Sequence, residues 1–161
     1  MFAALSFPET ANITAFITNP SSPSYAVKGQ SFTLEWTYTL DGIVGFARFS
    51  SITSSGSESV IGSRFGPGVI TVKPMYQSRF RAHATNTRAE LNFLAVHRSD
   101  ETSYRVNVVP TGDGSLVQSV VVVVNCKYCQ SETLLVLQYC PSRPHSISIV
   151  RKQKNKTLKT L

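Results

Sequence analysis

The sequence predicts an all-β protein folded as a two-sheet sandwich, and three observations support that prediction. Short segments of β-branched and aromatic residues recur at regular intervals, with clusters of Gly, Pro, Asn and Ser between them. The mixture of Ala, Glu, Lys and Leu that favours helices is sparse, and no helical period competes with the alternating pattern. With 161 residues, the chain is long enough for one domain with a hydrophobic core and hardly long enough for two.

Nine strands follow from this pattern. We place them at residues 13–18, 31–39, 44–52, 59–64, 69–72, 78–84, 89–96, 103–109 and 116–124. The clearest alternation puts Leu34 and Trp36 on one face of the second strand, and Tyr104 and Val106 on one face of the eighth. Between the last two strands, residues 110–114 contain two glycines that permit the positive φ angles of a hairpin turn, so these strands should be neighbours.

Two motifs carry a resemblance to a known family. The first comprises Leu91, Phe93, Val96, Asp100, Tyr104 and Val106, and the second is Gly29-x-Ser31-Phe32-x-Leu34-x-Trp36. With these motifs, residues 12–125 resemble the immunoglobulin superfamily: the first motif matches its E-strand to F-strand signature, and the second matches its B strand. The resemblance implies an immunoglobulin-like, V-type Greek-key β-sandwich.

The resemblance also assigns roles to individual residues. Trp36 and Val106 stand where the family has the two cysteines of its inter-sheet disulfide, so we expect the packing of a buried indole to replace that bond. Phe49 stands for the family's C-strand tryptophan. Tyr104 should form the tyrosine corner, in which a core tyrosine returns its hydroxyl to nearby backbone. Arg79 and Asp100 should form an ion pair that closes one end of the sandwich.

Other sandwiches stay open at this point, because alternating strands and a core tyrosine also suit a fibronectin-type or cadherin-type module. Within the immunoglobulin superfamily, the chain resembles V-like domains of multi-domain invertebrate surface proteins, including allorecognition-like receptors. The predicted organisation is a lead-in at residues 1–11, the V-type domain at residues 12–125 and a Lys-rich tail with cysteines at residues 126–161.

The net charge of +7 is concentrated in the tail. Residues 1–125 carry nine Lys and Arg against eight Asp and Glu, whereas residues 126–161 carry seven against one. A basic run with few aromatic residues and no periodicity predicts a solvated, disordered end, and we expect no nucleic-acid binding. A tail that binds nucleic acid or an anionic membrane surface is the alternative.

The cysteines all lie in the tail, at Cys126, Cys129 and Cys140. With His145, their spacing fits no common zinc site, so we predict no metal and no cofactor. A disulfide between Cys140 and Cys126 or Cys129 is one interpretation, and a truncated or mis-spliced junction is the other. Asn12 begins an Asn-Ile-Thr triplet and is the predicted N-glycosylation site.

Location and catalysis are predicted from what the sequence lacks. No segment reaches the roughly 20 apolar residues that cross a bilayer. Residues 1–7 are apolar but too short for a secretory signal, so we expect an export signal and a membrane anchor elsewhere in a larger cell-surface protein. His83, His97 and His145 have no paired nucleophile and acid in a recognisable order, so we predict that the chain is not an enzyme.

The resemblance implies binding through the sheet that holds strands C, C′, F and G. The candidate residues on this sheet are Phe46, Arg48, Arg105, Asn107 and Gln118. An exposed aromatic residue among arginines suits a protein interface. The main hypothesis is an extracellular recognition or adhesion module that binds another protein, homophilic or heterophilic. The alternative is a secreted lectin-like or other ligand-binding immunoglobulin module, which needs a concave aromatic or metal-bearing site.

Overall fold

The structure is a computed structural model, and it describes residues 13–126. Within this range the chain forms ten strands: β1 Ala15–Thr18, β2 Ser24–Val27, β3 Phe32–Thr39, β4 Val44–Ile52, β5 Glu58–Phe65, β6 Thr71–Val72, β7 Phe80–Ala84, β8 Arg88–Phe93, β9 Ser103–Pro110 and β10 Leu116–Asn125. The helical segments of the same range are two single 3-10 turns, at Pro74–Tyr76 and Arg98–Asp100. The protein is therefore all-β over its described length.

The strands form two sheets that pack face to face as a sandwich. One sheet has four strands in the order β1-β3-β8-β7, and the other has six in the order β2-β10-β9-β4-β5-β6. The pairs are antiparallel except for β2 with β10, which is parallel. The chain crosses between the sheets after β1, β2, β3, β6 and β8, and β5 and β6 extend the second sheet beyond β4. This arrangement is an immunoglobulin-like, V-type Greek-key sandwich.

The predicted strands match the observed ones except at β2. The segment Ser24–Val27 pairs with Val122–Asn125 of β10 and forms the edge of the six-stranded sheet. The predicted hairpin between β9 and β10 is present. One of its two glycines, Gly114, adopts a φ of +94°, whereas Gly112 does not have a positive φ and instead lies against Asp41.

The core is filled by the inward side chains of both sheets. Its largest fully buried members include Trp36, Tyr38, Tyr104, Phe49 and Phe93. All eight residues that the sequence predicts for the core are buried: Leu34, Trp36, Phe49, Leu91, Phe93, Val96, Tyr104 and Val106. Along β9 the buried and half-buried residues alternate strictly, so one side of this strand faces the core and the other faces outward.

Candidate recognition surface

Trp36 occupies the centre of the core. Its ring lies 6.0 Å from that of Phe49 on the opposite sheet, and Phe49 pairs across strands with Val106. The indole and the valine thus lie on inward faces of opposite sheets, as the resemblance to the immunoglobulin superfamily implies. The indole Nε1 has no hydrogen-bond partner among residues 13–126, so part of the gain from burying the ring is offset.

One end of the sandwich is closed around Asp100. The Arg79 guanidinium donates to its Oδ1, so the predicted ion pair is present. The other oxygen, Oδ2, accepts the backbone N–H of His97 at 2.7 Å. The Tyr104 hydroxyl donates to the carbonyl oxygen of Asp100 at 3.2 Å, which is the expected tyrosine corner. Burial, and then the charge of Asp100, raise the pKa of Tyr104 well above its ordinary value.

The opposite end is closed by hydrogen bonds between two connecting segments. Asp41, in the β3–β4 connection, accepts the Asp113 N–H at 3.1 Å through its carboxylate and the Gly112 N–H at 3.1 Å through its carbonyl. The Thr14 hydroxyl accepts the Asp41 N–H at 2.9 Å and donates to the carbonyl of Asp113 at 2.8 Å. A Cβ at Gly112 would lie 2.6 Å from atoms of Asp41, so the two segments are in close contact. Their polar groups are engaged with each other.

The six-stranded sheet has an outward surface, which we call the wide face. Cross-strand pairing decides which residues share it, because paired residues project to the same side of a sheet. Of the residues predicted for binding, Phe46, Arg48, Arg105 and Asn107 lie on it: Phe46 pairs with Val109, Arg48 with Asn107, and Arg105 with Ser50. The wide face also holds Tyr25, Glu58, Phe65, Val117, Ser119 and Val121.

Gln118 is a correction to the predicted set. It pairs with Val106, whose side chain is fully buried, so Gln118 lies on the inward side of β10, between Leu116 and Val120. A shift of one residue in a strand reverses the side that a residue occupies. The residues of β10 on the wide face are instead Val117, Ser119 and Val121.

Three charged side chains form a cluster in the middle of the wide face, which we call the charge cluster. The carboxylate of Glu58 lies 3.5 Å from Nη2 of Arg48 and 3.1 Å from Nη1 of Arg105. Arg105 also donates from Nε to the Ser119 hydroxyl at 3.3 Å. Ser50 pairs with Arg105 across β4 and β9 and is buried. One carboxylate thus serves two guanidinium groups, which leaves this cluster with a net charge of about +1.

Apolar groups flank the charge cluster at two opposite corners. At the phenylalanine corner, the rings of Phe46 and Phe65 lie 4.8 Å apart, and Phe65 is 82% exposed. The Arg48 guanidinium lies over the Phe46 ring, 5.9 Å from its centroid. At the β2 corner, Tyr25 is 63% exposed and Val121 is 44% exposed. Val117, which pairs with Asn107 on the wide face, is a further exposed apolar residue, at 52% exposure.

Sequence reasoning missed several of these residues. Glu58 and Phe65 each lie one residue beyond the predicted strand 59–64, so extending the alternating pattern by one position at each end would have included them. Tyr25 was missed because its strand, β2, was not predicted. Other predicted features lie wholly or partly outside the described residues: Asn12, Cys129 and Cys140 are not described, so the glycosylation and disulfide predictions stay predictions.

Two further observations concern metal and membrane. Over residues 13–126, no group of three or more His, Cys, Asp or Glu side chains is placed to hold a metal ion. In the same range, no helix has the length and apolar character required to cross a membrane.

No family model matches this chain, and no curated protein is similar to it. The place of the chain in the immunoglobulin superfamily is therefore a proposal that depends on its fold and on its core residues.

Proposed function

We propose that the chain is an extracellular, immunoglobulin-like recognition or adhesion module, part of a larger cell-surface protein, that binds another protein through the wide face. The observation that carries the proposal is the phenylalanine corner, where Phe65 is 82% exposed and its ring lies tilted against that of Phe46, beside Arg48. Exposed aromatic rings beside arginines are typical of the residues that dominate binding energy at protein interfaces.

The other outward surfaces offer less to a protein partner. On the four-stranded sheet, Arg88 lies 3.4 Å from Glu90 and 3.8 Å from Glu35, and Thr33 donates to Asn92 at 2.6 Å. These polar side chains are thus paired with one another, within β8 and between β3 and β8. The connecting segments around Asp41 are likewise bonded to each other. The wide face differs, since it carries the exposed ring of Phe65 against that of Phe46.

A binding role rather than a catalytic one also agrees with the state of the buried acid. Among residues 13–126, Asp100 is the buried charged residue, and both of its carboxylate oxygens accept hydrogen bonds. A carboxylate held in this way stabilises the end of the sandwich.

The proposal is tested by presenting the full chain as a labelled multivalent fusion to an array of extracellular proteins and to cells. We expect saturable binding that Phe46→Asp and Phe65→Asp each weaken by about tenfold or more, because each places a charge in the apolar phenylalanine corner. The matched control is Ile17→Asp, since Ile17 is 65% exposed on the other sheet. Binding that the control abolishes and the two Phe variants leave intact would refute the assignment of the wide face.

A further inference from the structure

The geometry points to a binding site for a small organic carboxylate at the end of the sandwich that holds Asp41, with the guanidinium of Arg64 as the group that binds the anion. The site is an open cleft of about 320 Å³, which we call the end cleft, and its lining includes Ile43, Val44, Arg64, Pro67, Gly68 and Asn86. Pockets that hold small molecules begin at about this volume. Arg64 and its neighbour Phe65 project to opposite sides of β5, so the inference does not rest on the proposed function of the wide face.

Arg64 lies on the core side of the six-stranded sheet, which is an uncommon place for a charged side chain. It pairs with Ala47 on β4, and Ala47 is fully buried, so both side chains project inward. The Nε of Arg64 is screened from solvent, and its Nη1 donates to the carbonyl oxygen of Gly68 at 2.5 Å. The stem of the side chain is therefore enclosed by the protein, and the terminal nitrogens lie beside the β5–β6 connection.

Arg64 has no carboxylate partner in the end cleft. None of the ion pairs formed between residues 13 and 126 includes it, and no Asp or Glu lines the cleft. At the opposite end of the sandwich, Arg79 is bonded to the buried carboxylate of Asp100. A charge withdrawn from bulk water is costly unless an opposite charge and hydrogen bonds compensate it. The chain supplies that compensation to Arg79, whereas at Arg64 an anion from outside would supply it.

The end cleft offers N–H donors to such an anion. Within the described part of the chain, the hydrogen bond that Arg64 makes is the one from Nη1 to Gly68. Its Nη2 has no partner there and, unlike Nε, is not screened from solvent. Asn86 adds a second kind of donor, because its Oδ1 accepts the Val44 N–H at 3.0 Å and its Nδ2 is left without a partner among the described residues. A guanidinium and an amide thus line the same cleft.

The positive charge of Arg64 also reaches the neighbouring core. Burial raises the pKa of Tyr38, and the charge of Arg64 opposes part of that rise. The Tyr38 hydroxyl donates to the carbonyl oxygen of Thr85 at 2.8 Å, and Thr85 lines the end cleft. Arg64 therefore gives the cleft a positive potential that no carboxylate of its lining cancels.

The remaining walls restrict the kind of anion. Apolar side chains supply much of this lining, namely Ile43, Val44, Pro67 and Ala84. The ligand therefore needs an apolar body beside its charged group. A carboxylate matches the planar guanidinium, whereas a phosphate brings more charge and more acceptors than one arginine and one amide satisfy. The volume equals roughly ten water molecules at about 30 Å³ each, which suits an acid of the size of isobutyrate or benzoate.

The test is nuclear magnetic resonance on the ¹⁵N-labelled full chain, titrated at neutral pH with isobutyrate and benzoate. Isobutyramide and benzamide serve as the uncharged matched ligands, and sodium chloride keeps the ionic strength constant. We expect saturable amide shifts at Gly68 and Asn86, with a Kd of about 1 to 10 mM for acids of this size. The amides should bind at least about tenfold more weakly, because they offer no charge to Arg64.

Variants of Arg64 assign the binding to this side chain. Arg64→Gln should weaken binding of both acids by about tenfold or more, and Arg64→Lys, which keeps the charge but loses the planar fork, should weaken it less. Arg81→Gln is the matched control and should leave binding unchanged, since Arg81 is exposed on β7, also donates to a backbone carbonyl and lies outside the end cleft.

A well-dispersed spectrum of each variant shows that it is folded. Shifts that do not saturate, equal binding of acid and amide, or equal losses in Arg64→Gln and Arg81→Gln would overturn the inference. The comparison of acid with amide uses the unaltered chain, so it decides the question even if Arg64→Gln fails to fold.

Discussion

Replacing Trp36 by Ala should cost more stability than any other single change in the core. The side chain is fully buried, and a buried indole removes about 200 Å² from water. At about 25 cal/mol per Å², this area corresponds to roughly 4 to 5 kcal/mol, of which the Ala methyl group keeps a small part. The cavity left beside Phe49 adds to the loss, and removal of the unpaired Nε1 group subtracts about 1 kcal/mol. We expect a net loss of about 3 to 5 kcal/mol.

Urea unfolding followed by far-ultraviolet circular dichroism measures this loss. Fluorescence is unsuitable because Trp36 is the single tryptophan of the chain. Trp36→Phe is the matched control: it keeps an aromatic ring against Phe49 and removes the unpaired N–H, so we expect a loss of about 1 to 2 kcal/mol.

Domains of this size are stable by about 5 to 15 kcal/mol, so Trp36→Ala should remove a large part of this stability, and at the low end of the range it would leave the domain close to unfolding. A loss below about 1 kcal/mol, with an unchanged dependence on urea, would show that the indole does not hold the two sheets together. In that case the idea that packing replaces the inter-sheet disulfide would be wrong.

Three further predictions concern the polar groups of the two ends and the core. Asp100→Asn should lower the free energy of unfolding, measured in urea, by about 3 kcal/mol, because it leaves the Arg79 guanidinium without its buried carboxylate partner. A change near zero would contradict this. Burial raises the pKa of Tyr38 from 10.0 to about 12. The folded state therefore holds the phenol proton more tightly than the unfolded state, so stability should be constant below pH 10 and fall between pH 10 and 12, with a smaller fall in Tyr38→Phe. Asp41→Ala should speed amide exchange of Gly112 and Asp113 while leaving the β3 amides protected.

The core and the closed end around Asp100 could be predicted from the sequence because both depend on short-range patterns. The alternation in β3 and β9 marks the inward side of each strand without knowledge of its neighbours. The E-to-F motif contains Asp100 and Tyr104 only four residues apart, so their contact is largely local. Arg79 was placed from the resemblance to the immunoglobulin superfamily.

The wide face was harder to predict because its membership depends on long-range pairing. Glu58 belongs to β5 only because it pairs with Ile52, and Phe65 only because it pairs with Phe46. The side that Gln118 occupies depends on its register against β9, and a one-residue error reverses it. Tyr25 lies in a four-residue strand that follows a segment rich in Pro and Ser, which local patterns favour as a loop.

The distribution of satisfied polar groups explains why binding is expected on a sheet rather than at a loop end. At one end the carboxylate of Asp100 accepts a hydrogen bond from Arg79. At the other end the carboxylate of Asp41 accepts a hydrogen bond from the backbone of the β9–β10 connection. A partner that approached either end would have to break these bonds before making its own, and would gain little in exchange. On the wide face, by contrast, two arginines share the single carboxylate of Glu58, and the side chain of Phe65 is almost fully exposed. A partner that adds a carboxylate to the arginines and an apolar group to Phe65 gains contacts without losing any, which is why we propose the wide face as the binding surface.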